Sequence, residues 1–142
     1  MMPPIDHYTL DDEGNPTLEE DLTKWALLLD DIERRRVGRT SFSDDTSIST
    51  VFFGLNPIST LGHGIGPPLL FETICQYGNV GDRTTRYPTW AAAVAGHERY
   101  VTEYLWNFPL VTILSTQIFE KPGGKVRKRK TLWDRLRTGN GL

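Results

Sequence analysis

One cysteine and three histidines are all that this 142-residue chain has of the residues that usually hold metals and run redox chemistry. A lone Cys75 excludes an internal disulfide and any CxxC redox or zinc pair. It fits a reducing compartment. His7, His63 and His97 occur in no HEXXH-type spacing, and a metal site takes three or four ligands. The expectation is therefore a protein with no metal and no cofactor. Ser41, Ser43, Ser49 and Ser59 lie in no GxSxG elbow. No Lys-Ser/Thr follows the glycines, so a P-loop is excluded too. The longest apolar run, FPLVTILSTQIF, is too short and too polar for a membrane span. The start, MMPPIDHYTLDDEG, has no apolar h-region and does not read as a secretory signal.

What is present suits a folded domain. Apolar residues make up 38% of the chain and charged residues 24%, an ordinary globular balance. Four Trp, five Tyr and six Phe supply a core large enough to fold without staples. The net charge of −2 conceals a gradient along the chain. Residues 1–33 carry ten carboxylates against Lys24, residues 34–120 balance, and residues 121–142 carry eight cations against Asp134. This asymmetry divides the chain into a domain over 1–120 and a basic tail over 121–142.

Local patterning indicates an α+β fold. HYTL reads as a short extended piece and DDEGNP as a turn. Thr17 and Glu20 match a capping box. The helix they would open carries Leu18, Leu22, Trp25, Leu29 and Ile32 on one face. RRRVGRTSF and SISTVFFGL read as strands joined by a hairpin at SDDT. PLLFETICQY and RTTRY follow as a third and fourth strand. Pro88-Thr89 opens a second helix with a stripe of Trp90, Val94, His97, Val101 and Leu105. Asn107-Phe108-Pro109 ends it. LVTILSTQIF is a last strand before the KPGG turn. The expected architecture is a small antiparallel sheet of four to five strands with both amphipathic helices on one face. Val51, Phe53 and Leu69 or Leu70 are expected to meet Trp25, Leu29, Trp90, Val94 and Val101 there.

Three places are candidates for function. The first is the loop containing Gly62, His63, Gly64 and Gly66. Glycines after a strand suggest a dinucleotide cradle, but Pro67-Pro68 and another strand follow where a helix N-terminus is needed. The loop therefore reads as a strand connection that can also bind. The second is a trio of His63, Glu72 and His97. Glu72 shares a strand face with Leu70 and Ile74; if covered, it needs a partner such as Arg86 or Arg35. His97 lies on an apolar helix stripe, either as a base or ligand facing the sheet or as a half-buried histidine bonded to a loop carbonyl. Cys75 reads as a small core residue. The third is the tail. Lys125, Arg127, Lys128, Arg129, Lys130 and Arg135 surround Leu132, Trp133 and Leu136, which share helical spacing. Cations with an aromatic suit phosphates, an anionic membrane surface, or the acidic first helix of another copy.

STVFFGLN, GPPLLFETICQ and RYPTWAAAVAGHERYV, in this order, resemble a family of small uncharacterised bacteriophage and prophage proteins. That family carries a STVFLGLDH…GPPLLFETM…RYxTWxEAxxGH pattern. The resemblance covers about residues 47–101 and a helix near 17–33. It implies a viral origin and a place in the host cytoplasm; it implies no activity. Asn56-Pro57 stands here where the family pattern has Asp-His. The combined expectation is an accessory protein that binds a host or phage macromolecule without catalysis. The alternatives are nucleic-acid or polyanion binding through residues 121–137, and a small hydrolase or transferase using His63, Glu72 and His97. A homo-oligomer built by pairing the acidic helix with the basic tail is also compatible with the charge pattern.

Overall fold

A computed structural model describes residues 6–56, 67–78 and 80–124. In chain order the elements are β1 (Asp6–Leu10), β2 (Pro16–Leu18), α1 (Leu22–Asp30), α2 (Ile32–Arg35), β3 (Arg36–Phe42), β4 (Thr46–Phe52) and β5 (Leu55–Asn56). They continue with β6 (Phe71–Tyr77), β7 (Val80–Tyr87), α3 (Trp90–Asn107) and β8 (Ile113–Ile118). The fold is α+β. Five strands form an antiparallel sheet in the order β7-β6-β4-β3-β8, and β2-β1-β5 form a smaller one.

The first helix begins later than the capping box suggests. Thr17 lies in β2, where it pairs with Thr9, and Leu18 pairs with Tyr8. A hairpin competes for these residues and wins because its turn is well built. Asp11 Oδ1 accepts hydrogen bonds from the amides of Glu13 and Asn15, each at 2.9 Å. Gly14 takes the left-handed φ of +86° that the turn requires. Asp21 then caps α1, accepting from the amide of Thr23 at 2.9 Å. With the start moved, the buried stripe moves as well. Leu28 is the buried residue of α1, Trp25 and Leu29 are half-buried, and Leu18, Leu22 and Ile32 are exposed.

The second helix follows the expected pattern. Thr89 caps α3, its hydroxyl accepting from the amide of Ala92 at 3.1 Å, and Asn107 closes it before Pro109. Trp90, Val94, His97 and Val101 are buried, and Leu105 is half-buried. α3 lies across the five-stranded sheet, against β3, β4, β6 and β7, while α1 packs chiefly on β1. Of the two helices expected on one sheet face, α3 covers it, and α1 contributes Leu28 to the same apolar cluster without lying across the strands. A strand whose apolar residues run SISTVFF has two readings of its alternation. The face toward α3 is Thr46, Ile48, Thr50 and Phe52; Val51 and Phe53 are half-buried, and Leu69 is exposed.

Two apolar clusters fill the space under α3. One joins Val37, Phe52, Leu70, Phe71, Tyr87, Trp90, Ala93 and Val94 with Leu10 and Leu28 from the smaller layer. The other joins Phe42, Ile48, Cys75, Val101 and Tyr104. Helix and sheet approach closely at Gly96, where a Cβ would stand 2.2 Å from the Tyr87 ring. Trp90 locks the helix start by donating its indole N–H to the carbonyl of Phe119 at 2.9 Å.

Candidate functional site

Glu72 occupies one rung of the sheet with Val51 on one side and Arg86 on the other. Its side chain is 7% exposed, and its Oε2 lies 3.2 Å from Arg86 Nε. Arg86 stacks its guanidinium over Phe53, 4.8 Å from the ring centre, a cation–π contact that orients the charge. Of the two expected partners, Arg86 makes the ion pair. Arg35 directs Nε to the carbonyl of Phe52 at 2.9 Å and Nη1 to that of Leu29 at 2.8 Å. It thereby ties α1 and α2 to the sheet. The ion pair makes Glu72 an anchor for the Arg86 cation on the sheet.

His97 is fully buried, not half-buried, and its partners are hydroxyls of the sheet instead of a loop carbonyl. Nε2 lies 2.9 Å from Thr40 Oγ1, and Nδ1 lies 2.9 Å from Thr50 Oγ1. The network extends further. Thr40 meets Thr116 at 2.8 Å, Thr50 meets Thr73 at 2.7 Å, and Thr73 donates to Tyr87 Oη at 3.1 Å. Gly38 leaves room for the ring, since a Cβ there would come within 3.2 Å of it. Burial pulls the His97 pKa down to about 4, because a dry interior disfavours the imidazolium. A neutral ring with both nitrogens bonded to protein is a structural crosspiece from α3 to β3 and β4, and through their threonines to the other three strands of the larger sheet. Sequence reasoning missed its threonine partners. Their trace in the sequence is the alternation of Thr46, Ile48, Thr50 and Phe52 on one strand face.

The candidate trio does not assemble from the members that are described. Thr73 faces α3, since its hydroxyl joins the His97 network. Glu72 is its neighbour in β6 and points to the opposite face. His63 lies outside the described residues, as do Gly62, Gly64 and Gly66. The tail residues Lys125, Arg127, Lys128, Arg129, Lys130, Trp133 and Arg135 are also outside them. Among the described residues no group of three or more His, Cys, Asp or Glu could hold a metal ion. Cys75 is buried in the core, and burial raises its pKa.

A different surface, outside every sequence motif, carries large exposed apolar side chains. Leu110 is 95% exposed, Trp106 80%, Leu114 69%, and Phe108 about half. These four belong to one nine-residue stretch joining α3 to β8. Its backbone is held at several points. The Val111 amide bonds to the carbonyl of Phe108 at 3.0 Å. Thr112 exchanges two bonds with Ser43 in the β3–β4 turn, through its carbonyl at 2.9 Å and its amide at 3.0 Å. Phe108 stacks on Tyr104 with ring centres 4.8 Å apart, and the Tyr104 hydroxyl bonds to Asp44 and Thr46. The segment therefore presents apolar side chains to water from an anchored backbone. No residue from Leu105 to Phe119 carries a charge. That is the signal by which the sequence marks this stretch.

No family model, no curated protein and no solved structure matches the chain. Among the described residues, no helix is long and apolar enough to cross a membrane.

Proposed function

We propose that this is a small phage-encoded accessory protein that acts by binding a macromolecular partner, without catalysis, and that the partner docks on Trp106–Leu114. The supporting observation is the concentration of four exposed large apolar side chains in one anchored, uncharged segment. Monomeric proteins scatter exposed leucines singly, whereas contiguous patches mark interaction sites. The exposed leucines of α1, Leu22 and Leu27, differ because carboxylates at Glu19, Glu20, Asp21, Asp30 and Asp31 flank them. The separation of Glu72 from His97 across the sheet supports the same reading over the enzymatic one.

Affinity capture tests the proposal. The wild-type chain and a Trp106→Ser/Leu110→Ser variant of equal melting temperature are compared as tagged baits in a host lysate to which the untagged chain has been added. The proposal expects partners, a second copy of the chain among them, retained by the first and lost by the second. Identical capture by both would refute it. The net charge of +7 over residues 121–142 favours a second, independent contact with polyanions, through phosphate neutralisation without base recognition.

A further inference from the structure

The two edges of the five-stranded sheet are unlike. At one, β7 carries Asp82 and Arg86. Charges of this kind are how natural sheets discourage strand addition. At the other, β8 reads ILSTQI, with no charge and no proline, and it pairs only with β3 among the described residues. The Phe119 amide bonds inward to the Val37 carbonyl at 2.9 Å. By alternation, the N–H groups of Thr116 and Ile118 then point away from the sheet. The register irregularity facing Ser41 and Phe42 lies toward the start of β8, and the remainder pairs regularly from Ser115 to Ile118. Just before β8 stand Trp106, Phe108 and Leu110, and Leu114 lies near its start.

Resting on the docking surface proposed above, we infer that its occupant is a second copy of this chain, added antiparallel along β8 so that two five-stranded sheets become one. Three observations carry this. An antiparallel strand is its own complement across a two-fold axis, and β8 offers a row of outward donors and acceptors for it. Absence of charge from Leu105 to Phe119 means that no like charges oppose each other when the segment meets itself. It also means that nothing there selects a charged foreign partner. The area suffices as well. The four apolar side chains present roughly 600 Å², and the exposed flank of Ser115, Thr116 and Gln117 brings the patch near the about 800 Å² per partner of a standard interface.

Sedimentation of the full chain at high protein concentration, with charge placed at the strand centre, tests this. The expected wild-type mass is twice the 16.1 kDa of one chain. Ser115→Lys and Ser115→Glu should each be monomeric with an unchanged melting temperature, and an equimolar mixture of the two should regain the doubled mass. Leu114→Lys, on an exposed side chain, repeats the disruption should either Ser115 variant fold poorly. A wild-type chain that stays at the mass of one copy overturns the inference, as does a doubled mass that survives Ser115→Lys. Truncation after Gly124, with an unchanged melting temperature, overturns it in two ways: by dissolving the dimer, which would assign the contact to the tail, or by creating one, which would mean that the tail covers β8. A monomer whose partner capture still depends on Trp106 and Leu110 sinks self-pairing alone. If W106S/L110S alters neither association nor capture, both the inference and the docking surface fail.

Discussion

Acidification should destabilise the fold through His97 before carboxylates titrate. The ring is neutral when folded, with a pKa of about 4, against about 6.5 in an unfolded chain. Between these values the unfolded state binds the proton and the native state does not. Stability is therefore fully present above the unfolded pKa and is lost as pH falls toward the folded one. The gap corresponds to a loss of about 2 kcal/mol by pH 5 and about 3 kcal/mol by pH 4, relative to neutral pH. That is a large share of a small domain's total stability. Urea melts of wild type and His97→Gln at pH 7, 6 and 5 isolate the effect, because glutamine can bond to both Thr40 and Thr50 and does not titrate. The wild type should lose the stated stability while His97→Gln stays flatter over the same interval. Parallel losses in the two proteins would refute the reasoning. Should the variant fold poorly, the His97 ring resonance in the native wild type gives the same answer: it should not titrate above pH 5.

Gly96→Ala should cost about 1–3 kcal/mol by driving a methyl into the Tyr87 ring, and a thermal melt unchanged from wild type would contradict the close approach of α3 to β7. Glu72→Ala should cost about 1–3 kcal/mol by leaving the Arg86 guanidinium without its carboxylate, with much of that loss absent when Arg86→Ala is already in place. A stability unaffected by Glu72→Ala would return Glu72 to the pool of candidate catalytic groups. Truncation after Gly124, which spares the buried Pro122 and the Lys121–Glu13 ion pair, should leave the melting temperature unchanged and abolish salt-sensitive retention on heparin. Undiminished retention would move the polyanion contact off the tail.

Much of the fold was legible because α3 has an unambiguous period. Thr89, the stripe from Trp90 to Val101, and Pro109 together define its start, face and end. The hairpin at SDDT was legible for a similar reason, since turn residues interrupt two strand-like runs. The first helix was not, because Thr17-Leu18-Glu19-Glu20 satisfies a capping rule locally while Leu18 also satisfies a strand pairing with Tyr8. Only the tertiary hairpin decides between them. The inward face of β4 was misread because threonines serve there in place of aliphatics. Their hydroxyls are needed by His97, whose burial no local pattern specifies. Glu72 was legible as a carboxylate in need of a partner, and Arg86 as one of two residues able to provide it. The exposed stretch from Trp106 to Leu114 was hidden by its composition, since a hydrophobic run bounded by turns reads as a buried strand. Exposure is a property of what covers an element, and for the outer edge of β8 and the apolar stretch leading into it no other part of the described chain does.

Hydrogen exchange at the amides of Trp106–Ile118, followed as a function of protein concentration, distinguishes a self-paired β8 from a free sheet edge. A docking surface filled by a second copy predicts that Thr116 and Ile118 exchange slowly in concentrated solution and quickly on dilution. The amides of β7 at the charged edge should be indifferent to concentration. Exchange that is independent of concentration throughout β8, or concentration-dependent protection appearing on another element instead, would contradict it.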